Sequence, residues 1–542
     1  MLSTQGPSEG SAKSRFLSGS AAAVLLLSVF VIGSVPVFFN LFNHDAGWYL
    51  VAASRLLNGD RLYVDIIEPN PPLIIWLSVP TVVFARVTGL SEVLAFRVSA
   101  LLLIGGSLGL AGWALRRILP DRPGGRLGLS LLAIAVLLPL AGYEFGEREH
   151  LMFAMILPYL VMAAATSVGH RFGGPLAVLA GVLAGLGIGF KPHFAILWLS
   201  VEGYLVGSGP GRRTWLRAEN LAVMATGFSC VVATFVLTPD YLVMVRWLWP
   251  IYRYCANVSW RSMVDHPAVM LSVIAWLCYP MVQPRGAYRE LCRVFLIVDL
   301  SLLAAAVLQS KGYSYHYYPA AASAIVLLGL LFIESREPIA DRRAWAGVLG
   351  GGLAAALLIV AAGDRIFDAR LWGAEPIGSN TYYGRLARLA RAHAAGGSLF
   401  VFSPAVIDAF PMVNEVGATW ASRHPCLWFL AGLYPGPLRS SPPESYRSMA
   451  AMSPAERLLF DSVIDDLLRD RPDLILVDEG PRLGVYCIQP FDYLAYYGRD
   501  PRFAALLREY EPLPRLGDFH PYRRRAGVAR RDLTIRQASR GR

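Results

Sequence analysis

The feature that most constrains this chain is a series of apolar blocks. They fall near residues 20–41, 72–88, 93–115, 128–141, 150–168, 174–190, 193–207, 218–238, 267–283, 291–308, 318–334 and 344–363. Most are roughly 15–25 residues long, about what a helix needs to cross a ~30 Å hydrocarbon core. A segment inside a bilayer must satisfy its own backbone polar groups, so the blocks are read as helices. The composition agrees: 55% of the 542 residues are hydrophobic and 16% are charged, against about 25% charged in a soluble domain. Beyond about residue 364 such blocks are absent, and that part reads as a soluble domain.

Twelve blocks do not mean twelve spans. With a cytoplasmic N-terminus, a spanning 72–88 would put Arg116, Arg117, Arg122 and Arg126 outside, together with Arg212, Arg213 and Arg217. If 72–88 does not span, both clusters fall inside, as do Arg285, Arg289 and Arg293 and then Arg336, Arg342 and Arg343. That choice satisfies the positive-inside rule at every basic loop. Block 72–88 also opens on Pro71-Pro72 and carries Pro80, so it is expected to lie in the outer interface. The expectation is an α-helical polytopic protein with about eleven transmembrane helices. The Trp- and Tyr-rich segment 240–254 reads as a second interfacial helix.

Four parts follow: a cytoplasmic tail 1–19, a transmembrane domain 20–363, an outer α/β domain 364–521 and a basic tail 522–542 expected to lack order. Residues 398–403 and 473–479 read as buried strands, and 383–394, 445–470 and 501–510 as helices. The net charge of +11 comes from arginines flanking apolar blocks, which argues for a lipid bilayer and against nucleic acid as the partner. Of six cysteines, Cys230, Cys278 and Cys292 read as core, while Cys255, Cys426 and Cys487 lie where a disulfide is allowed. Gly181, Gly185 and Gly189 repeat at four-residue spacing, the signature of close helix packing.

This topology brings the chemistry-bearing residues to one face. Asp45 follows the first span in Asn43-His44-Asp45, and Asp65 and Glu68 lie further along the same loop. A second loop crowds Glu144, Glu147, Arg148, Glu149 and His150 into one turn. Charges at an apolar boundary are costly unless paired or used. Such carboxylates suit a general base for a hydroxyl, or ligands for a divalent cation. Lys191 and His193 flank a proline break between two spans, and Lys311, Tyr315 and His316 form a third polar turn. Cations facing carboxylates suit an anionic headgroup whose phosphate leaves as a bond breaks. Arg246, Arg253 and Arg261 in the aromatic loop are further candidates. A transporter or flippase of lipid-linked sugars is the competing class. It would place ionisable residues near mid-membrane, often with repeats, whereas the deepest charges here are Arg97 and Asp299.

The ordered combination of Asp45 after the first span, Pro-Pro-Leu at 71–73, a short acidic second outer loop, an aromatic fourth loop and a terminal soluble domain resembles the C-type (GT-C) glycosyltransferases. The likeness covers roughly residues 20–335. It points to the branch of protein O-mannosyltransferases, the lipid A aminoarabinose transferase and lipopolysaccharide-core galacturonosyltransferases. The resemblance implies an inverting enzyme of the bacterial inner membrane, working on the periplasmic face. Its donor would be a polyprenyl-phosphate sugar and its acceptor an envelope glycolipid, polysaccharide or protein. It implies Asp45 as catalytic base, with Glu147 or Glu149 as the second-loop acid. The expected substrate-binding residues are His44, Glu68, Arg148, His150, Lys191, His193, Arg253, Lys311, Tyr315 and His316. Many members carry two adjacent acids at the first site. Here the pair is His44-Asp45, which leaves a metal role there open.

Overall fold

The computed structural model describes residues 19–208, 212–253, 258–335, 350–352, 355, 357–358, 382–434, 446–480 and 491–525. Fourteen helices build the N-terminal part among the described residues: α1 (Gly19–Phe39), α2 (His44–Leu57), α3 (Leu73–Thr88), α4 (Glu92–Ile118), α5 (Pro123–Leu137), α6 (Arg148–Ser167), α7 (Pro175–Gly189), α8 (Ala195–Ser208), α9 (Ala218–Leu237), α10 (Asp240–Tyr252), α11 (Trp260–Val264), α12 (Pro267–Val282), α13 (Gly286–Gln309) and α14 (Ser314–Ser335). Six of them (α1, α4, α6, α9, α13 and α14) are long and apolar enough to cross a membrane, and α3, α5, α7 and α12 are shorter apolar helices. Ten of the eleven expected spans coincide with helices; the eleventh, 344–363, lies largely outside the described residues.

Burial sorts these helices by their solvent. Helix α6 is enclosed by α4, α7, α8, α13 and α14, and nearly every side chain on it is buried. Helix α1 is the reverse: Val24, Leu27, Val31 and Ile32 are exposed along its length, as are Phe228, Val231, Val236 and Leu237 on α9. A water-soluble protein does not leave such continuous apolar faces bare; in a bilayer they are solvated by lipid.

Two packing details set the frame. A Cβ on Gly181 would lie 2.1 Å from the Glu219 carbonyl oxygen, and one on Gly185 would lie 2.7 Å from Thr226. These glycines therefore let α7 and α9 approach backbone to backbone, as the spacing predicts. Helix α3 packs on α2 and α4 and starts and ends at the same end of the bundle. Leu73 meets the Gly189 end of α7, while Arg86, near its other terminus, donates to Ser54 and Asn58 of the α2 end. Next in the chain, Arg97 caps the C-terminus of α1 through the carbonyls of Phe38 (3.0 Å) and Asn40 (2.8 Å). This is the course expected of a helix lying along a surface.

The C-terminal part is a small α/β domain. Its five-stranded sheet has the order β2-β1-β3-β5-β4, from β1 (Ser398–Phe402), β2 (Thr419–Trp420), β3 (Leu474–Asp478), β4 (Tyr510–Pro512) and β5 (Phe519–Arg524). Strands β2, β1 and β3 are parallel, and β5 runs antiparallel to β3 and β4. Helices Tyr382–Ala394 and Pro454–Asp470 match two of the expected helices, the second starting nine residues later than predicted. The third, Pro501–Leu507, ends early because the chain enters β4 at Tyr510.

The predicted boundary at 522 is corrected: β5 continues to Arg524. Its arginines are held by cross-strand acids, Arg523 by Glu511 and Arg524 by Asp473. The rest of the basic tail, and Cys255 and Cys487, lie outside the described residues. Cys426 is buried with its Sγ 3.2 Å from the Pro404 carbonyl oxygen.

The α7–α9 contact gives a test. Gly181→Val should lower the melting temperature of the detergent-purified protein, with a loss of about 1–3 kcal/mol from overpacking. Gly203→Ala, which opens onto empty space, should leave it unchanged.

Candidate functional site

The loops at one end of the bundle converge because each is fixed by its own backbone chemistry. Asn43 caps α2: its Oδ1 accepts from the amides of Asp45 (2.9 Å) and Ala46 (3.2 Å). Its Nδ2 donates to the Tyr143 carbonyl at 2.9 Å, which ties the first loop to the second. Asp45 thus sits in the first turn of α2, where the helix dipole favours an anion. At the start of α6, Glu147 is the N-cap and accepts from the Arg148 amide at 3.2 Å. The turn before it depends on Gly146, which has a φ of +90° and an amide that donates to His150 Nδ1 at 3.1 Å.

A cavity of about 260 Å³ opens where these loops meet. Eight of the expected residues line it: His44, Asp45, Glu68, Arg148, Lys191, Lys311, Tyr315 and His316. Five do not. Glu147 and Glu149 are fully buried behind the wall. His150 is buried with both ring nitrogens engaged, Nε2 lying 2.9 Å from the Leu137 carbonyl; it holds the turn and has no nitrogen left for a substrate. His193 stacks edge-on against Phe194. Arg253 is exposed at the end of α10.

Asp45 is the centre of the polar floor. Its Oδ2 lies 3.5 Å from Arg148 Nη2 and accepts from the Tyr49 hydroxyl at 3.4 Å. The His44 Nε2 is 3.6 Å from Oδ1, and His44 Nδ1 meets the Tyr143 hydroxyl at 2.8 Å. Burial pushes the Asp45 carboxyl up, but the His44 ring, the Arg148 guanidinium and the more distant Lys191 outweigh it and hold it below the ordinary carboxylate value. Burial lowers His44's own value, so near neutral pH the pull comes chiefly from the guanidinium. Glu147 goes the other way: burial and the Asp45 charge push it well above the carboxylate range. The two neighbouring acids are thus shifted in opposite directions.

The cations complete the wall. Arg148 is buried under the Tyr49 ring, 5.3 Å from its centroid, and its Nε and Nη1 find no hydrogen-bond partner among the described residues, which is rare for buried guanidinium donors; its Nη2 is the nitrogen turned to Asp45. Lys191 is ion-paired with Glu149. Lys311 donates to the Tyr252 carbonyl at 3.1 Å and lies 4.6 Å from that ring. Glu68, raised by burial, accepts from Trp48 Nε1 at 2.8 Å and from Asn70; it braces the loop at the cavity edge. Burial drives His193 down to about 3, which leaves it uncharged. Among the described residues, no group of three or more His, Cys, Asp or Glu side chains stands together as a metal site.

The roof comes from the C-terminal domain, through Pro404, Val406, Ile407, Pro425, Cys426 and Trp428. These follow the carboxyl ends of β1 and β2, the edge where open parallel sheets bind ligands. Nothing in the sequence pointed to them. Tyr143 and Tyr49 were also missed, although each sits within a few residues of a predicted acid. The roof is fastened by Arg55, which donates to the carbonyls of Asp65 (2.8 Å) and Ser422. The Ile67 amide donates to the Arg423 carbonyl at 2.7 Å, and Asn414 Nδ2 to the Gly47 carbonyl at 3.0 Å.

ArnT from Cupriavidus metallidurans bound to undecaprenyl phosphate matches with a TM-score of 0.53 at 13% identity, over 95% of this chain and 100% of that one. The chain has the GT-C glycosyltransferase fold. ArnT in the apo state matches with a TM-score of 0.50 at 14% identity, over 95% of this chain and 99% of the other. No protein-family model and no curated protein matches the sequence. The GT-C likeness extends over the C-terminal domain as well, further than the 20–335 on which the sequence motifs rest.

Removing the roof fastening should be visible. Arg55→Ala leaves two carbonyls without their donor, a loss of about 1–3 kcal/mol. Limited proteolysis should then cut the C-terminal domain faster than in the parent protein.

Proposed function

We propose that this protein is a membrane glycosyltransferase that moves a sugar from a polyprenyl-phosphate carrier to an envelope acceptor on the periplasmic face. The observation that carries this reading is the placement of Asp45. A half-buried carboxylate held ionised faces the same cavity as Arg148, Lys191 and Lys311. Acid and cations on facing walls suit a reaction in which a hydroxyl loses a proton while a phosphate departs.

In this mechanism the acceptor oxygen forms a bond to the anomeric carbon as the bond from that carbon to the phosphate oxygen breaks. The hydroxyl proton passes to Asp45. The bonding pair leaves with the polyprenyl phosphate, whose growing charge is met by the positive charge of Arg148 and by the two lysines. Attack opposite the leaving group inverts the anomeric centre. His44 and Tyr49 orient the Asp45 carboxylate. The shared fold with a protein that holds undecaprenyl phosphate makes that lipid the first carrier to test.

The transporter reading gains nothing from Asp299. Its carboxylate accepts from Ser272 (3.0 Å), Ser323 (3.0 Å) and Trp276 Nε1 (2.7 Å), which binds α12, α13 and α14 together.

Asp45→Asn should reduce turnover of a lipid-linked sugar by about 10²–10⁴-fold, the range for losing a general base, with donor affinity largely kept. Unchanged turnover by the folded variant would contradict the assignment. Because the Asp45 carboxyl is held below its ordinary value, activity should persist into mildly acid buffer and fall only as pH drops through that lowered value; a kcat/KM profile against pH checks this.

A further inference from the structure

Glu149 and Lys191 form a pair whose two members face different ways. The lysine lines the cavity. The glutamate is fully buried in the first turn of α6, behind the wall, and its Oε1 meets the Lys191 amine. The same amine lies 3.4 Å from Gln309 Oε1, 3.4 Å from His316 Nε2 and 5.2 Å from the centre of the Tyr315 ring. His316 Nε2 stands 3.8 Å from the Glu149 carboxylate. The ammonium is thus held by a buried acid, an amide and the imidazole of His316, with the Tyr315 ring beside it in the cavity wall.

Burial lowers the Lys191 value, Glu149 raises it, Arg148 lowers it and Glu147 raises it. Asp45, His193 and His316 also face it electrostatically. Of these, Glu149 is the anion in direct contact. A buried amine without its counter-ion readily gives up its proton, and lysine shifts more easily than arginine in this respect.

We propose that Glu149 is a positioning residue that acts on the donor phosphate only through Lys191, holding the ammonium against the cavity as its fixed counter-ion. This rests on the reading of the cavity as a lipid-phosphate site. It separates Glu149 from Asp45, although both are acids of the same polar floor: Asp45 meets the reacting groups, and Glu149 touches no substrate.

The test is equilibrium binding of undecaprenyl phosphate to the purified full-length protein, measured across pH. Wild-type binding is expected to weaken on the alkaline side as Lys191 loses its proton. Glu149→Gln should move that alkaline midpoint to lower pH, because the lysine has lost the group that raises its value. Lys191→Met should weaken binding roughly 10- to 100-fold, the worth of a charge-assisted hydrogen bond, and flatten the alkaline limb. The double variant Lys191→Met/Glu149→Gln replaces the ion pair with a neutral pair of similar size, which buried pairs commonly tolerate. It should bind like Lys191→Met alone.

An unmoved midpoint in Glu149→Gln, or a further loss when Glu149→Gln is added to Lys191→Met, would overturn the positioning role while leaving the phosphate site intact. A wild-type protein that binds no undecaprenyl phosphate would overturn the cavity reading and this proposal with it.

Discussion

The structure turns on the charges buried at the N-terminus of α6. This helix is the most enclosed in the bundle, and it opens with Glu147, Arg148 and Glu149, all out of water. Ions in such a place must be paired, neutralised or put to use. Glu147 is pushed toward its neutral form, Glu149 is paired with Lys191, and Arg148 is paired with Asp45 at the cavity. Because the partners come from α2, from the break between α7 and α8, and from the start of α14, satisfying this one turn draws four distant stretches of chain to a single point.

The membrane half and the C-terminal domain divide the cavity by chemistry. The floor is charged and rigid, built on helix termini whose caps are in place. The roof is apolar and belongs to loops at the carboxyl edge of a parallel sheet. At Gly47 the two halves pack tightly: a Cβ there would lie 2.8 Å from Asn414 Oδ1 and 3.2 Å from Phe410 Cβ.

Much of this was legible in the sequence because lipid imposes a simple grammar. Length, hydropathy and arginine placement mark out the apolar helices and sort the loops between them into two faces. The meeting of Asp45, Arg148, Lys191 and Lys311 followed from that sorting. Their pairing did not. Glu147, Glu149 and His150 are neighbours in sequence, yet helical rotation sends them to a capping site, a lysine and a backbone carbonyl. Side-chain direction within one turn decides such roles, and spacing alone does not reveal it. The roof was illegible for another reason. Proline, valine, isoleucine and tryptophan in a soluble domain look like core, and only the sheet order places them over a membrane cavity. Strand β5 was hidden because its arginines, read alone, resemble a solvated tail, whereas cross-strand acids neutralise them.

The proposed reaction requires one cavity to hold a lipid phosphate between Arg148, Lys191 and Lys311, with its reacting side turned toward Asp45. A cryo-electron microscopy structure of the full-length protein in a lipid nanodisc with undecaprenyl phosphate tests it most directly. Phosphate density is expected beside the Arg148 guanidinium and the two lysines, beneath Trp428, with the prenyl chain leading out to the lipid-facing surface. Phosphate density anywhere outside that cavity, with the cavity itself occupied only by solvent, would contradict it.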